Sequence, residues 1–591
     1  MKAICHKMSE QFALCLLCLI MVHPLCAIVQ PEPADESIVN QNDVPKTIMQ
    51  DLGLNRLYPL LFRTDEESKQ LAEDELDFEQ YRGRRIGSIK IVSLDVFTQP
   101  QIDSDLIKRA IELGNDLHPK TRRSAIRNLL FFTEGDTLQP AYLISNMHFL
   151  YNQGLFSEIR MELQELPNQE VGITIYVRER FFLQISGKYI SREKYNIKIM
   201  DRNLFGTGNS LKSSWFVDPQ NQHSLGWESS FTNNNLFGSF IQTELNWADL
   251  PGYRNLDLSL QRPFLYPLFR YYAGGDYSKT SISSPRDSLA VKKQEGGLWV
   301  AHSFDLFEYP RYSYAALSLN QTCYQKRPYS GIVEGMPWQE SLFALGALAI
   351  TSSSYDYLPR ISSFLDNDYL PVGYLFELYG GYDFGEYKQR PFVGLHSAWA
   401  LLPQKDQYLY LSGAVESYLR AGKSEQAVVS IEPMYISGTK RVGEILGRSF
   451  IRAKYVYGHK RLKTEALNLN SDPLYHGSSN LQGTELIFLS LEEDLSLPQS
   501  LLGFQLTTFG FVDMAIMKDR RDNLINKEYL FSEGMGVRLR NPSLIWDFIE
   551  FSFAVDQSSQ SDTVYNVEVN LKRAFSLKDF AGKRPQVYPF E

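Results

Sequence analysis

The sequence predicts a transmembrane antiparallel β-barrel that is preceded by one small α+β domain. Short segments of alternating polarity recur throughout residues 181–575, as in strands that face lipid on one side and a lumen on the other. Aromatic residues form 13% of the chain, although its mean hydropathy is only −0.27. After residue 30 there is no run of roughly 20 apolar residues, so the sequence does not predict membrane-spanning helices.

Residues 1–27 have the pattern of a secretory signal peptide. Two lysines precede the apolar residues 12–22, and the small residue Ala27 stands at a suitable cleavage position. An N-terminal membrane anchor is the alternative, whereas a lipid-modified Cys26 is disfavoured because a large residue precedes it. Four of the five cysteines lie in this segment, so cleavage would leave Cys323 without an intramolecular disulfide partner. The formal net charge is −9, and an exported acidic chain is not expected to bind nucleic acid.

The next two regions precede the barrel. Residues 28–85 form a polar N-terminal segment, whose acidic part is interpreted as a solvated helix or linker rather than a docking site. The pattern of residues 86–180 predicts a small domain of mixed strands and helices, whose elements follow in the order strand, helix, helix, strand, strand. These five elements are expected at residues 86–94, 120–132, 140–152, 156–163 and 171–177.

Residues 181–575 predict the barrel itself. In residues 549–556, apolar Ile, Phe, Phe and Val alternate with Glu, Ser, Ala and Asp. We count about 20 candidate strands, and an even number brings both ends of a single-chain barrel to the same side. The first strand is expected at residues 181–190 and the last at residues 565–575. The C-terminal tail, residues 576–591, is expected either in the periplasm or in the lumen.

Several motifs follow one another in the order of a known family. Phe132-Thr-Glu-Gly-Asp-Thr-Leu138 and Leu150-Tyr-Asn-Gln-Gly-Leu-Phe156 resemble parts of a POTRA module, and Asn203-Leu-Phe-Gly-Thr-Gly208 and Gln261-Arg-Pro-Phe264 resemble early barrel motifs. Residues 86–575 therefore resemble the BamA/TamA superfamily of outer-membrane barrel proteins, of the bacterial surface antigen type. The resemblance implies a single periplasmic POTRA domain, residues 86–180, and a bacterial outer-membrane barrel of 16 strands.

The resemblance also implies a lock between a loop and the wall of the lumen. The family carries an arginine in a Val-Arg-Gly-Tyr/Phe loop, which pairs with the aspartate of a Phe-x-Asp-x-Gly strand. Here Gln482 replaces that arginine before Gly483, while Phe511 and Asp513 match the strand motif. The resemblance therefore predicts a weaker Gln482–Asp513 pair. Two alternatives remain open: Gln482 is an ordinary loop residue, or Arg538 or Arg540 supplies the missing charge.

The implied function is assembly or translocation of other polypeptides in the outer membrane. The POTRA domain would engage client polypeptides, and the barrel would insert them or pass them through. A lateral opening is expected at a barrel seam between the first and last strands, with Gln184, Ser186, Asn570 and Phe575 as its residues. Outer-membrane lipids would be partners, and periplasmic chaperones or accessory lipoproteins are left open. A two-partner-type secretion pore and a structural surface-antigen barrel without a transport role are the alternatives.

Catalysis is not expected. The chain has no Gly-x-Ser-x-Gly motif and no Walker loop, and no two of its nine histidines have the spacing of metal ligands. We therefore expect neither an enzyme nor a metal or cofactor site.

Overall fold

The computed structural model describes residues 62–63 and 78–590, apart from gaps at 98–104, 192–193, 218–224, 285–288, 307–308, 329–337, 360–366, 387, 405, 444, 463–464, 470–480, 502–503, 520–525, 542–548, 560–562, 571–579 and 589. The predicted signal peptide and most of the polar segment 28–85 lie outside the described residues. The described residues form the α-helices α1 (Asp105–Leu117), α2 (Arg123–Arg127) and α3 (Pro140–Asn152). No helix among the described residues is long and apolar enough to cross a membrane.

The strands are more numerous than the helices. They are β1 (Phe62–Arg63), β2 (Ile86–Leu94), β3 (Phe156–Glu165), β4 (Val171–Glu179), β5 (Leu183–Ser191), β6 (Lys194–Asp201), β7 (Ser210–Val217), β8 (Leu225–Asn233), β9 (Gln242–Leu250), β10 (Tyr253–Arg262), β11 (Tyr271–Ser284), β12 (Leu289–Phe304), β13 (Arg311–Lys326), β14 (Ser341–Pro359), β15 (Asn367–Gly385), β16 (Gln389–Leu401), β17 (Tyr408–Arg420), β18 (Lys423–Ile436), β19 (Lys440–Val442), β20 (Ile445–His459), β21 (Leu467–Asn468), β22 (Gln482–Gly483), β23 (Glu485–Leu501), β24 (Phe504–Asp519), β25 (Asn526–Arg540), β26 (Ile549–Ser558) and β27 (Val564–Asn570).

The small domain is a three-stranded sheet with helices on it. Its strand order is β2-β4-β3, in which β4 pairs parallel with β2 and antiparallel with β3. Alternate residues of β4 are buried, and Ile173, Ile175 and Val177 pack with Leu143 and Leu150 of α3 in one apolar core. The core thus joins the faces of a sheet and of a helix, each of which would be unstable in water alone.

Two helices of this domain differ from the sequence prediction. The helix predicted at residues 120–132 is confined to α2, because the four consecutive residues 129–132 are all buried, more than one face of a helix can cover. The helix α1 was not predicted from the sequence. Its interior contains Gly114, Asn115 and Asp116, which are poor helix formers and hide the helical pattern.

The large sheet closes into a ring. Of the 22 strands that the described residues form in this sheet, the short β1 and β19 attach to β23 and β20, which leaves 20 strands in the ring. Neighbouring ring strands pair antiparallel along the chain, β18 pairs with β20, β20 with β23, and β27 is followed by β5. The ring therefore agrees with the count of about 20 strands along the sequence, and it exceeds the 16 that the resemblance implies.

The wall of the ring is apolar outside and polar inside. Along β26, Phe551 and Phe553 are exposed by 48% and 43%, whereas Glu550 and Ser552 between them are exposed by only 4% and 7%. Because side chains alternate across a strand, one surface of the whole ring carries leucine, valine and phenylalanine, and the other encloses charged groups. This arrangement is the reverse of a soluble sheet and is that of a transmembrane barrel.

Candidate functional site

The small domain is fastened to the barrel by a turn that occurs twice in the sequence. Asn203-Leu-Phe-Gly-Thr joins β6 to β7, and Asn235-Leu-Phe-Gly-Ser joins β8 to β9. In both turns the phenylalanine has a left-handed backbone, with φ of 53° at Phe205 and 51° at Phe237. The asparagine side chain holds each turn by accepting a bond from a backbone N–H, 2.8 Å from Gly208 in the first and 2.6 Å from Phe240 in the second. Only the first turn was among the motifs recognised in the sequence, although the repeated Asn-Leu-Phe-Gly is a readable signal for the second.

The first turn binds a buried carboxylate of the small domain. Glu179, at the end of β4, accepts hydrogen bonds from the backbone N–H of Thr121 (2.9 Å) and from its hydroxyl (2.7 Å). Nε2 of His118 lies 2.9 Å from the same carboxylate. From the barrel, Nδ2 of Asn203 lies 2.8 Å from the Thr121 hydroxyl and 3.3 Å from Glu179. We call His118, Thr121, Glu179 and Asn203 the junction cluster; all four are at most 5% exposed.

The second turn makes an aromatic contact with the domain. Nδ2 of Asn235 donates to the carbonyl of Asn128 at 2.6 Å. The ring of Phe240 lies 5.6 Å from Phe131 and 5.8 Å from Phe149 of the domain, and 5.6 Å from Phe269, which follows β10. These distances are those of favourable aromatic pairs. Two turns and one connection of the barrel thus hold one face of the domain, and they define the proximal end of the barrel.

The predicted lock in the lumen has a different basis from the one expected. Gln482 lies in β22 and is exposed, and the backbone N–H of Thr484, two residues further on, donates to the carbonyl of Lys518 at 2.9 Å. Asp513, which is 1% exposed, lies five residues from Lys518 along β24, or about 17 Å at ~3.4 Å per residue. The structure therefore does not bring Gln482 to Asp513.

Apolar packing holds the two described ends of the loop, on either side of residues 470–480, instead. Leu467, Leu469 and Leu481 are at most 3% exposed and pack on Phe488 and Met517 of the inner wall. Gly483 has room only for hydrogen, because a Cβ there would lie 2.6 Å from the Lys518 carbonyl oxygen. The sequence signal for this packing is a set of leucines within a segment that is otherwise polar.

We expect Leu481→Ala to loosen this loop and Gln482→Arg to leave it unchanged. A buried Leu→Ala change costs about 2–5 kcal/mol, whereas Gln482 is exposed and distant from Asp513. Protection of the loop from protease in folded barrels would measure both effects. If Gln482→Arg increased the protection of the loop, that result would instead support the predicted pairing with Asp513.

The two arginines proposed as compensating charges lie away from Asp513. Arg538 pairs in register with Thr507, six residues along β24 from Asp513, and Arg540 pairs with Gln505. Arg538 is surrounded by three buried carboxylates: its Nη1 lies 2.7 Å from Glu492 and 2.9 Å from Asp494, and its Nε lies 2.7 Å from Glu550. Its guanidinium carbon lies 3.8 Å from the centre of the Phe509 ring, on which Phe511 stacks at 6.1 Å. We call Arg538 and these three carboxylates the lumen ion cluster.

The predicted seam residues have mixed positions. β5 and β27 are neighbours in the sheet, so the first and last barrel strands do meet. Gln184 is buried on the inner wall, Ser186 pairs in register with Lys198, and Asn570 pairs with Glu550. Phe575 lies outside the described residues.

The described part of the C-terminal tail, residues 580–588 and 590, lies in the lumen, the second of the two places expected for the tail. Phe580 is completely buried and packs with Phe264, Tyr314 and Tyr410 of the inner wall.

Within the described part of the chain, no group of three or more His, Cys, Asp or Glu side chains is placed to hold a metal ion.

A closed ring with an apolar outer wall, a charged lumen and a docked α+β domain defines a membrane-barrel protein with an accessory domain. In sequence, 128 residues, 21% of the chain, are 28% identical to the outer membrane protein assembly factor BamA of Neorickettsia risticii (strain Illinois). The chain matches only 17% of the length of that protein. This local match confirms the resemblance to the BamA/TamA superfamily that the motifs predicted. No protein-family model matches the chain.

Two solved structures align with most of this chain at low sequence identity and with low TM-scores. BamA from Haemophilus ducreyi lacking POTRA domains 1–3 is 14% identical, with 82% of this chain and 85% of that chain covered and a TM-score of 0.33. CdiB from Escherichia coli is 10% identical, with 91% and 98% covered and a TM-score of 0.40.

Proposed function

We propose that the protein is an outer-membrane assembly or translocation factor, which engages client polypeptides with its small domain and inserts or passes them through its barrel. The observation that carries this proposal is the fastening of an α+β domain, by two repeated turns, to the proximal end of a transmembrane barrel. The sequence match to an assembly factor supports it. The small domain then lies in the periplasm, and the protein acts without catalysis or cofactor. Its partners are clients and outer-membrane lipids, with periplasmic chaperones or accessory lipoproteins delivering the clients.

The sheet of the small domain offers one edge to an extended client. The first part of the outer side of β2 is already used, since its Ile86 exchanges backbone hydrogen bonds with residues 135 and 136, and Arg127 donates to the Ile89 carbonyl at 3.1 Å. Among the described strands, β3 pairs only with β4. A client strand can therefore add to β3 through main-chain hydrogen bonds, which need little sequence specificity.

The seam between β5 and β27 is the route by which a client strand would leave the barrel sideways. Unpaired strand edges are not tolerated in lipid, so an opened seam would pair with a client strand and template its insertion. A secretion pore is the second candidate, because a ring of 20 strands is wide enough for a lumen that holds more than side chains.

We expect depletion of the protein to lower the amounts of outer-membrane proteins, and the wild-type chain to restore them. A chain with Ser186→Cys, Asn570→Cys and Cys323→Ser should restore them only in the presence of a reductant, because a disulfide across the seam would keep it closed. Quantitative proteomics of outer-membrane fractions is the measurement, and Cys323→Ser alone is the control. An unchanged proteome on depletion would instead indicate a structural barrel. Restoration by the oxidised chain would exclude lateral opening and favour a route through the lumen.

A further inference from the structure

The described residues of the C-terminal tail, 580–588 and 590, run along the inside of the barrel from one end to the other. Phe580 packs at the proximal end with Phe264, which follows β10 and precedes the connection that contacts the small domain. At the opposite end, Phe590 lies against Gly458, one residue before the end of β20, and Arg461 stands 4.2 Å over its ring. Ten residue steps extend over at most about 36 Å, close to the ~30 Å hydrocarbon thickness of a bilayer. Residues 580–590 are thus long enough to cross the membrane inside the lumen.

The wall binds the main chain of this tail through buried side chains from several strands. Thr351 donates to the carbonyl of Phe580, and Ser318 donates to the carbonyl of Pro585 at 3.3 Å. The backbone N–H of Gly582 donates to the Tyr312 hydroxyl at 3.0 Å, and that of Tyr588 donates to the Glu416 carboxylate at 3.0 Å. All four wall residues are at most 8% exposed. Main-chain groups of this kind are present in any polypeptide.

Side chains of the tail add selectivity to these bonds. Arg584 forms an ion pair with Asp276, which lies on the inner side of β11. Tyr588 and Phe590 pack on the apolar cluster that holds Leu467 and Leu481, so the tail also touches the loop described above. The described residues of the tail do not add to the sheet as a strand. Pro585 has no backbone N–H to donate to a neighbouring strand, so the main chain of the tail bonds to side chains of the wall instead.

A barrel of this size would otherwise enclose a wide channel. Barrels of about 16–18 strands leave an aqueous channel, and larger ones have a plugged lumen. We propose that the inner wall of β11–β20 is a binding site for an extended peptide, and that the chain's own tail, residues 580–590, occupies this site and closes the lumen. This goes beyond the proposed function, since it holds whether or not the chain handles clients.

The first test is the conductance of the full mature chain in planar bilayers, compared with a chain that ends at residue 579. We expect the shortened chain to conduct several-fold more. Adding the synthetic peptide of residues 580–591 should return the conductance toward that of the full chain, whereas a scrambled peptide of the same composition should have no effect. The labelled peptide should bind the shortened chain in detergent but not the full chain, whose site is occupied.

A charge exchange tests the same proposal without removing the tail. Arg584→Asp places two carboxylates against each other and should raise the conductance, while Asp276→Arg in the same chain should lower it again. If the shortened chain fails to fold, as judged by heat-modifiable mobility on gels, Arg584→Asp and the double variant with Asp276→Arg test the closure of the lumen in its place. If the folded shortened chain and the folded Arg584→Asp chain conducted no more than the full chain, the proposal that the tail closes the lumen would be wrong. If the shortened chain conducted more but the added peptide neither bound it nor lowered its conductance, the proposed peptide-binding site would be wrong. None of these measurements uses a client, so a failure here is distinct from failure of the proposed function.

Discussion

Replacing Arg538 by methionine should lower the free energy of unfolding of the barrel by about 3–5 kcal/mol, because removing one partner leaves buried charges uncompensated. Its guanidinium group lies within 2.9 Å of the carboxylates of Glu492, Asp494 and Glu550, and each of the three is at most 8% exposed. Without the arginine, three carboxyl groups remain together in a site with little water. Methionine keeps most of the side-chain volume, so the effect reports the charge rather than a cavity.

Urea titration of barrels in lipid vesicles, followed by tryptophan fluorescence, would measure this loss. Arg254→Met is the matched control: Arg254 also pairs with a carboxylate, that of Asp249 at 2.9 Å, but its side chain is 71% exposed. Exposed ion pairs contribute about 0–1 kcal/mol, so this variant should unfold almost as the parent does. Adding Glu492→Gln to Arg538→Met should recover part of the stability by removing one of the repelling charges. Equal midpoints for Arg538→Met and the control would show that water or protonation already balances the cluster.

The course of the barrel wall could be predicted from the sequence because one rule governs it. Along residues 549–556 the alternation of apolar and polar residues predicts which side chains face lipid. As expected, Phe551 lies on the outer side of the wall and Glu550 on the inner side. The same rule says nothing about what a lumen residue meets across the barrel. Arg538 and Glu492 are 46 residues apart in sequence, and Ser318 and Pro585 are 267 apart. Alternation places each of them on the inner wall but does not pair them.

The loop and the tail show the same limit. Gln482 and Asp513 were compared because a family motif joins them, yet the loop is held by leucines that lie outside that motif. The tail carries no period of either a strand or a helix, so its position depends on side chains of β13, β14 and β17 that only the folded barrel brings together. The turn at Asn235 is different in kind: it repeats the Asn-Leu-Phe-Gly of Asn203, and comparing the two segments would have predicted it.

Replacing Glu179 by alanine should release the small domain from the first turn of the barrel. The carboxylate accepts from the backbone and hydroxyl of Thr121, and it contacts His118 and Asn203. Alanine would leave these buried groups without their acceptor, and each such group costs about 1–3 kcal/mol. We expect a total loss of about 3–5 kcal/mol of local stability at the junction cluster, which corresponds to at least a hundredfold faster hydrogen exchange at ~1.4 kcal/mol per tenfold.

Hydrogen exchange followed by mass spectrometry would locate the effect, because the amides of Thr121 and Arg122 donate to Glu179 and to the Gly206 carbonyl respectively. A peptide that covers both amides should exchange fast in Glu179→Ala, while peptides from β23 and β24 should be unchanged. Glu165→Ala is the control within the same domain, since Glu165 pairs with Arg84 but is 64% exposed. Because Glu179 directly precedes the residues that enter β5, loss of the cluster should free the domain to reorient while the barrel stays folded. Slow exchange at Thr121 in Glu179→Ala would mean that the aromatic contact at Phe240 suffices to hold the domain in place.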